Sequence, residues 1–120
     1  MAQPFVFMEL STPDASKAKA FYHDLFDWSF GTSEPGGDDY SLFRPDIGAA
    51  GAIYSAAAGS AGWLPYINVE DVEASTAKAQ ALGAKLIRGV QEIPGHGWTS
   101  ILEDPWGAPI AFYQNSETRS

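Results

Sequence analysis

Apolar and polar residues alternate at the start of the chain. Val6, Met8 and Leu10 fall on one side and Phe5, Phe7 and Glu9 on the other, which predicts a strand with one aliphatic face and one aromatic-acidic face. Asp14 follows as an N-cap. Ala18, Phe21, Tyr22 and Leu25 then recur at helical spacing, predicting a helix that stops near Asp27 with these four as its buried stripe. Trp28-Ser29-Phe30, Tyr40 to Phe43 and Ala49 to Ser55 read as three more strands. Glu34 to Asp38 separates the first two as a loop, and Pro45 to Gly48 the last two as a turn. The same order then begins again. Leu64 to Val69 is a strand, and Asp71 opens a helix from Val72 to Leu82 with Val72, Ser75, Ala79 and Leu82 on one face and Gly83 at its end. Strands follow near 84–91, 97–103 and 108–114. Asp104-Pro105-Trp106-Gly107 makes a tight turn with Pro and Gly where a type I turn prefers them.

Residues 5–55 and 64–114 therefore overlay at a constant offset, as two copies of one β-α-β-β-β unit. Neither copy is able to bury its apolar face alone. The fold class is α+β, with helices on one side of curled, mostly antiparallel sheets. The stretch 56–62 holds only Ala, Gly and Ser, a flexible link too short to separate independent domains, so residues 1–120 read as a single domain. The faces without helices must curl around something or pack on another copy.

Composition narrows the classes. Cysteine is absent, which excludes disulfides, thiolate catalysis and thiolate metal sites. No apolar run approaches a membrane span, and Met1-Ala2-Gln3-Pro4 lacks a signal peptide's basic start, so the expectation is a cytoplasmic protein without membrane contact. The tail from Asn115 to Ser120 is polar and frayed by expectation. A net charge of −8 opposes nucleic-acid binding and is compatible with a cationic or neutral small molecule. The plainer reading, a surface charged for solubility, is preferred.

Glu9-Leu10-Ser11-Thr12-Pro13-Asp14, Ala20-Phe21-Tyr22 with Leu25-Phe26-Asp27-Trp28, Trp63 to Asp71 and Asp104-Pro105-Trp106-Gly107-Ala108 together resemble the vicinal oxygen chelate superfamily. That group includes glyoxalase I, extradiol dioxygenases and bleomycin-resistance proteins, and the resemblance covers essentially the whole chain. Asp27 departs from the Gly that commonly precedes Trp there, and Trp106 from a usual polar residue. The resemblance implies that each repeat forms half of a cup, with a divalent metal held on the cup side by His, Glu or Gln.

Carried over residue by residue, the ligand positions are Phe7 (or Phe5), Leu64 (or Tyr66), Ala52 or Tyr54, and Ala111 or Tyr113. None is His, Glu or Gln. His23 and His96 fall elsewhere, on a helix and in a loop. No metal and no other cofactor is expected, which disfavours glyoxalase I, extradiol dioxygenase and metal-dependent fosfomycin chemistry together, because each uses the metal as Lewis acid.

On the same implied geometry Phe5, Phe7, Glu9, Leu64, Tyr66, Asn68, Ala111 and Tyr113 face inward, while Val6, Met8, Ile67, Val69, Ile110 and Phe112 face the helices. The expected ligand-binding set is Phe5, Phe7, Glu9, Tyr54, Leu64, Tyr66, Asn68, Trp98 and Tyr113, an aromatic cup with a few polar groups. A flat ring suits stacking on Phe7, Tyr66 or Trp98. Glu9 is either a general base or counter-charge, or a strand-end residue bonded to Asn68 or a backbone amide. His96, in Pro94-Gly95-His96-Gly97-Trp98, is a second candidate acid/base or merely an exposed loop residue. Trp28 and Trp63 read as core or dimer surface, and Trp106 as an exposed turn tip.

The leading expectation is a metal-independent binder of a drug or secondary metabolite, aromatic or cationic in character. The alternatives are a metal-free isomerase, cyclase or lyase using Glu9 or His96, and an interaction-only module with a filled cup. Homodimerisation is expected because members of that superfamily commonly pair modules between chains.

Overall fold

The computed structural model describes residues 3–33, 37–45, 47–56 and 61–116. Parts of the predicted loop (34–36), turn (46), link (57–60) and tail (117–120) lie outside the described residues, as do Met1 and Ala2. The element order is β-α-β-β-β twice, an α+β fold. The first set is β1 (Phe5–Thr12), α1 (Ala15–Phe26), β2 (Phe30–Ser33), β3 (Gly37–Phe43) and β4 (Ala50–Ser55). The second is β5 (Gly62–Asn68), α2 (Val72–Ala81), β6 (Lys85–Ile93), β7 (Gly97–Glu103) and β8 (Pro109–Asn115).

Two compact units emerge. One is residues 6–64; the other runs from Pro65 onward and takes in the start of the chain through Phe5. The Pro4 carbonyl accepts from the Asn68 amide at 2.9 Å, which ties that start to the second unit.

Within the first unit the strands lie in the order β2-β3-β4-β1, and within the second β5-β8-β7-β6. In each, the first and last strands in sequence pair parallel and the other pairs are antiparallel. A hairpin cannot join parallel neighbours, so the chain must travel over a helix and two further strands before returning.

Both helices start alike. Asp14 Oδ1 accepts from the Lys17 amide and Asp71 Oδ1 from the Ala74 amide, each at 3.0 Å, satisfying donors that the first turn leaves free. α1 ends where Asp27 turns left-handed, at φ 60°, and its amide donates to the His23 carbonyl at 2.8 Å. That is the backbone state glycine adopts most readily, and Asp tolerates it better than most residues. The His23 ring donates through Nδ1 to the Trp28 carbonyl at 2.9 Å, closing the same corner.

The first core gathers Leu10, Ala15, Phe43 and Ile53, with Ala18, Tyr22, Trp28 and Phe30 packed against it. Trp28 stacks on Phe43 with ring centroids 4.4 Å apart and on Tyr22 at 5.6 Å. Such pairs each add about 0.5–1.5 kcal/mol beyond area burial. The stripe expected on α1 is corrected here: Phe21 is 59% and Leu25 55% exposed. Ala15, Ala18 and Tyr22 make the contact instead, because one wide tyrosine resting on Trp28 fills the space beneath the helix.

On α2 the buried residues are Val72 and Thr76. The Thr76 hydroxyl donates to the Val72 carbonyl at 2.6 Å and shares a 2.8 Å hydrogen bond with Ser100, while the Val72 amide donates to Gln114 Oε1 at 2.8 Å. Leu82, expected on the buried face, is exposed because the helix ends at Ala81 and Gly83 turns left-handed at φ 108°. Polar groups in mutual hydrogen bonds replace much of the expected apolar stripe.

Gly51 is buried between the Met8 carbonyl and the Phe43 ring, both of which an added Cβ would overlap. Backbone on one side and a stacked core ring on the other leave little room to relax. Gly51→Ala is expected to destabilise the chain by about 1–3 kcal/mol, read as a lower urea midpoint at unchanged slope.

Candidate functional site

Strand alternation separates two faces of the first unit. Met8, Leu10, Phe43 and Ile53 turn toward α1; Phe7, Glu9 and Ser11 on β1, Ala52 and Tyr54 on β4, and Tyr40 and Leu42 on β3 turn to the helix-free side. The register sets Glu9 abreast of Ala52, and Tyr54 abreast of both Ser11 and Tyr40. The Tyr40 hydroxyl donates to Glu9 Oε2 at 2.8 Å, and the Tyr40 and Tyr54 rings lie 5.9 Å apart. Burial pushes the Tyr54 phenol above its ordinary value of 10.0, the negative charge of Glu9 adds to this, and a hydrogen bond with the Ser11 side chain partly opposes it. One carboxylate, two phenols and a hydroxyl thus form a polar cluster on an otherwise apolar and aromatic face. It can hold a donor group of a ligand at Glu9 and stack a ring nearby.

In the second unit Ser100, Leu102 and Phe112 turn toward α2, so Tyr66, Asn68, Thr99, Ile101, Ala111 and Tyr113 occupy the helix-free side. Tyr66 and Thr99 are buried; Asn68 and Tyr113 are half-buried. The Tyr113 hydroxyl donates to the His96 carbonyl at 2.9 Å, the same carbonyl accepts from the Ser116 amide at 2.8 Å, and the His96 amide donates to Ile93. The backbone of His96 therefore holds the β6–β7 turn, and its side chain is exposed. Arg88 on β6 donates through Nη2 to the Thr99 hydroxyl.

The predicted residues divide accordingly. Phe7, Glu9 and Tyr54 come together on one face, with Phe7 and Glu9 half-buried and Phe5 exposed at the strand's start. Tyr66, Asn68 and Tyr113 share the corresponding face of the second unit, and Leu64 is half-buried on β5. Trp98 is not brought to that face. The regular β7–β8 register places it with Ser100 and Leu102 on the side of α2. One partner of Glu9 is Tyr40, which sequence reasoning did not name.

Sequence reasoning missed two residues. Tyr40 alternates with Leu42 in a predicted strand, but its approach to Glu9 depends on the β3–β4 register, which no motif carries. Arg88 had a signal: it is the one charge within Leu86-Ile87-Arg88-Gly89-Val90.

Two hollows open on the helix sides of the sheets. One, about 540 Å³, is lined by Met8, Trp28, Phe43, Pro45, Ala49 and Trp63 in the first unit. The other, about 340 Å³, lies beside the end of α2 in the second and includes Leu82, Leu102, Trp106 and Phe112. Their walls are almost wholly apolar, and the one carboxylate, Asp104, is occupied by the Trp106 and Ala108 amides of its own turn. The candidate site is therefore placed on the polar cluster around Glu9, not in either hollow. Among the described residues no group of three His, Asp or Glu side chains is arranged to hold a metal ion. No helix among them is long and apolar enough to cross a membrane.

Two β-α-β-β-β units, each closed by a parallel pair, define the class of fold. Residues 5–112 match the family model for the Glyoxalase/Bleomycin resistance protein/Dioxygenase superfamily, and the chain belongs to that family. It is 32% identical over 115 residues to the "Putative glyoxylase CFP32" of Mycobacterium tuberculosis, with 90% of this chain and 44% of that one covered. It is 25% identical over 125 residues to the anthracycline biosynthesis protein DnrV of Streptomyces peucetius, covering 90% of this chain and 46% of that one. The chain thus spans about half the length of these relatives. Among solved structures, methylmalonyl-CoA epimerase from Mycobacterium tuberculosis superposes with a TM-score of 0.71 at 14% identity, covering 93% of this chain and 87% of that one, a likeness of fold.

The Tyr54 environment gives a signed expectation. Because its folded-state pKa is raised, the native chain holds that proton while the unfolded chain loses it, so stability falls as pH rises above about 10. Ultraviolet titration of tyrosinate should find a late phenol that is missing in Tyr54→Phe. Glu9→Gln should move it only part of the way back, because burial is the larger cause. A full return to the ordinary value would contradict the assignment.

Proposed function

We propose that the chain is a metal-independent small-molecule-binding member of its family, taking a flat aromatic ligand with a donor group against Glu9. The observation that carries this reading is the Tyr40–Glu9 hydrogen bond on the helix-free face, beside Phe7 and Tyr54. The carboxylate nearest the family's ligand positions is engaged by a phenol, and the positions themselves hold Phe, Leu, Ala and Tyr. A single carboxylate offers a divalent cation too few donors. The name of DnrV supports a polycyclic aromatic ligand by likeness. A second reading is a metal-free isomerase, cyclase or lyase, favoured by the same bond, since Tyr40 would hold Glu9 oriented for proton transfer. His96 is a weaker acid/base candidate, its backbone being committed to a turn. Homodimerisation is kept in the proposal, supported by the exposed Phe21, Leu25 and Phe26 along α1, and so is a cytoplasmic setting.

Titration with an aminoanthraquinone, followed by tryptophan fluorescence, is expected to show micromolar-range binding that excess EDTA leaves unchanged. Glu9→Gln should weaken it about tenfold, the loss of one hydrogen bond to a charged group. Binding that EDTA abolishes would sink the metal-independent part. Turnover of a ligand that collapses in Glu9→Gln while affinity persists would move the conclusion to the enzyme.

A further inference from the structure

Strand β6 encloses a charged residue more than the aliphatic ones around it. It is the outermost strand of its unit, and three of its four aliphatic side chains, Leu86, Ile87 and Val90, are 38%, 49% and 37% exposed. Arg88, the charge among them, is the more enclosed. The strand slips register on both sides of it, between Leu86 and Arg88 and between Arg88 and Gln91. Such irregularities re-aim a side chain, and here the result is a guanidinium that reaches Thr99 on the helix-free face.

That guanidinium is incompletely used. Nη2 donates to the Thr99 hydroxyl, but Nε is buried and has no hydrogen-bond partner among the described residues. A buried donor without an acceptor costs about 1–3 kcal/mol, more when it belongs to a charged group. Nε and Nη2 form one edge of the planar fork, the edge that matches the two oxygens of a carboxylate. The surroundings suit such a group: Thr99 is a buried hydroxyl, with Ile101 and the ring of Tyr113 as neighbours in register. In a chain of net charge −8, a cation held inside a sheet face rather than in solvent marks a local preference opposite to the global field.

We infer that Arg88 docks the carboxylate of a small molecule within the second unit, with its Nε edge turned to the anion and Thr99 fixing the fork. The inference rests on the small-molecule reading above only in that a small molecule carries the anion; it does not involve Glu9. The rival account is structural: an inward charge on an outermost strand deters pairing with another chain. It predicts no ligand response.

The probes are naphthoate and its neutral counterpart, naphthamide, added to isotope-labelled protein. Naphthoate at about 1 mM should shift the Arg88 Nε–H resonance and naphthamide should not, with naphthoate binding about tenfold tighter. Arg88→Gln should erase that preference while the far-ultraviolet dichroism is kept; if the variant fails to fold, the wild-type resonance decides. Naphthoate bound without a shift, or a preference surviving in Arg88→Gln, overturns the assignment. Naphthamide binding equally well overturns it too, yet leaves the small-molecule reading standing.

Discussion

Each repeat closes by pairing its first strand parallel to its last, and that pairing decides where the candidates on its first strand fall. Because the partners are parallel, the chain between them has to cross over the sheet, and the helix that does so covers one face only. Met8 and Leu10 are committed to the covered face, with Ile53 and Phe43. Phe7 and Glu9, one residue out of phase, are left on the other. A slip of one position would exchange the two sets and put a carboxylate beneath α1. Gly51 protects the arrangement, since only a residue without Cβ lets β4 lie against the Met8 carbonyl and the Phe43 ring.

Placing a carboxylate on a half-buried aromatic face has a consequence of its own. Such a group must find donors there or give up its charge. Tyr40 supplies one, and the negative charge that Glu9 keeps is felt by Tyr54, whose phenol holds its proton more tightly. The three residues come from three strands, so the cluster exists only once the β1–β4 and β4–β3 registers are both set. It is a property of the sheet, not of any one segment.

This explains what could be read from the chain and what could not. The element order, both aspartate caps and the Asp104 turn were legible, because capping and turn chemistry are local. Alternation separated the two faces of β1, and the family resemblance said which of them meets the helix. The stripe of α1 misled: Phe21 and Leu25 have helical spacing, but whether an apolar residue is covered depends on what already fills the space below, and Tyr22 on Trp28 fills it. Trp98 misled for a related reason, since its face depends on where β7 begins to pair with β8. Tyr40 carried no signal and Arg88 only that of a lone charge in an apolar run, because their partners, Glu9 and Thr99, are set by cross-strand register. Sequence periodicity fixes faces; it does not fix neighbours.

The repeat also shows where the two copies have diverged. Parallel pairing sets Glu9 against Ala52 in one and Tyr66 against Ala111 in the other. Both alanines are fully buried. A methyl group at that level leaves the first-strand side chain to define the chemistry, so the same architectural position presents a carboxylate in one copy and a phenol in the other. A carboxylate is a good ligand for a divalent cation and a neutral phenol a poor one, so the two copies do not present equivalent donors at this level. Within the first copy the carboxylate bonded to Tyr40 is a hydrogen-bond acceptor beside aromatic rings; within the second, buried Tyr66 is an aromatic surface. One position of the shared architecture thus carries different chemistry in the two copies.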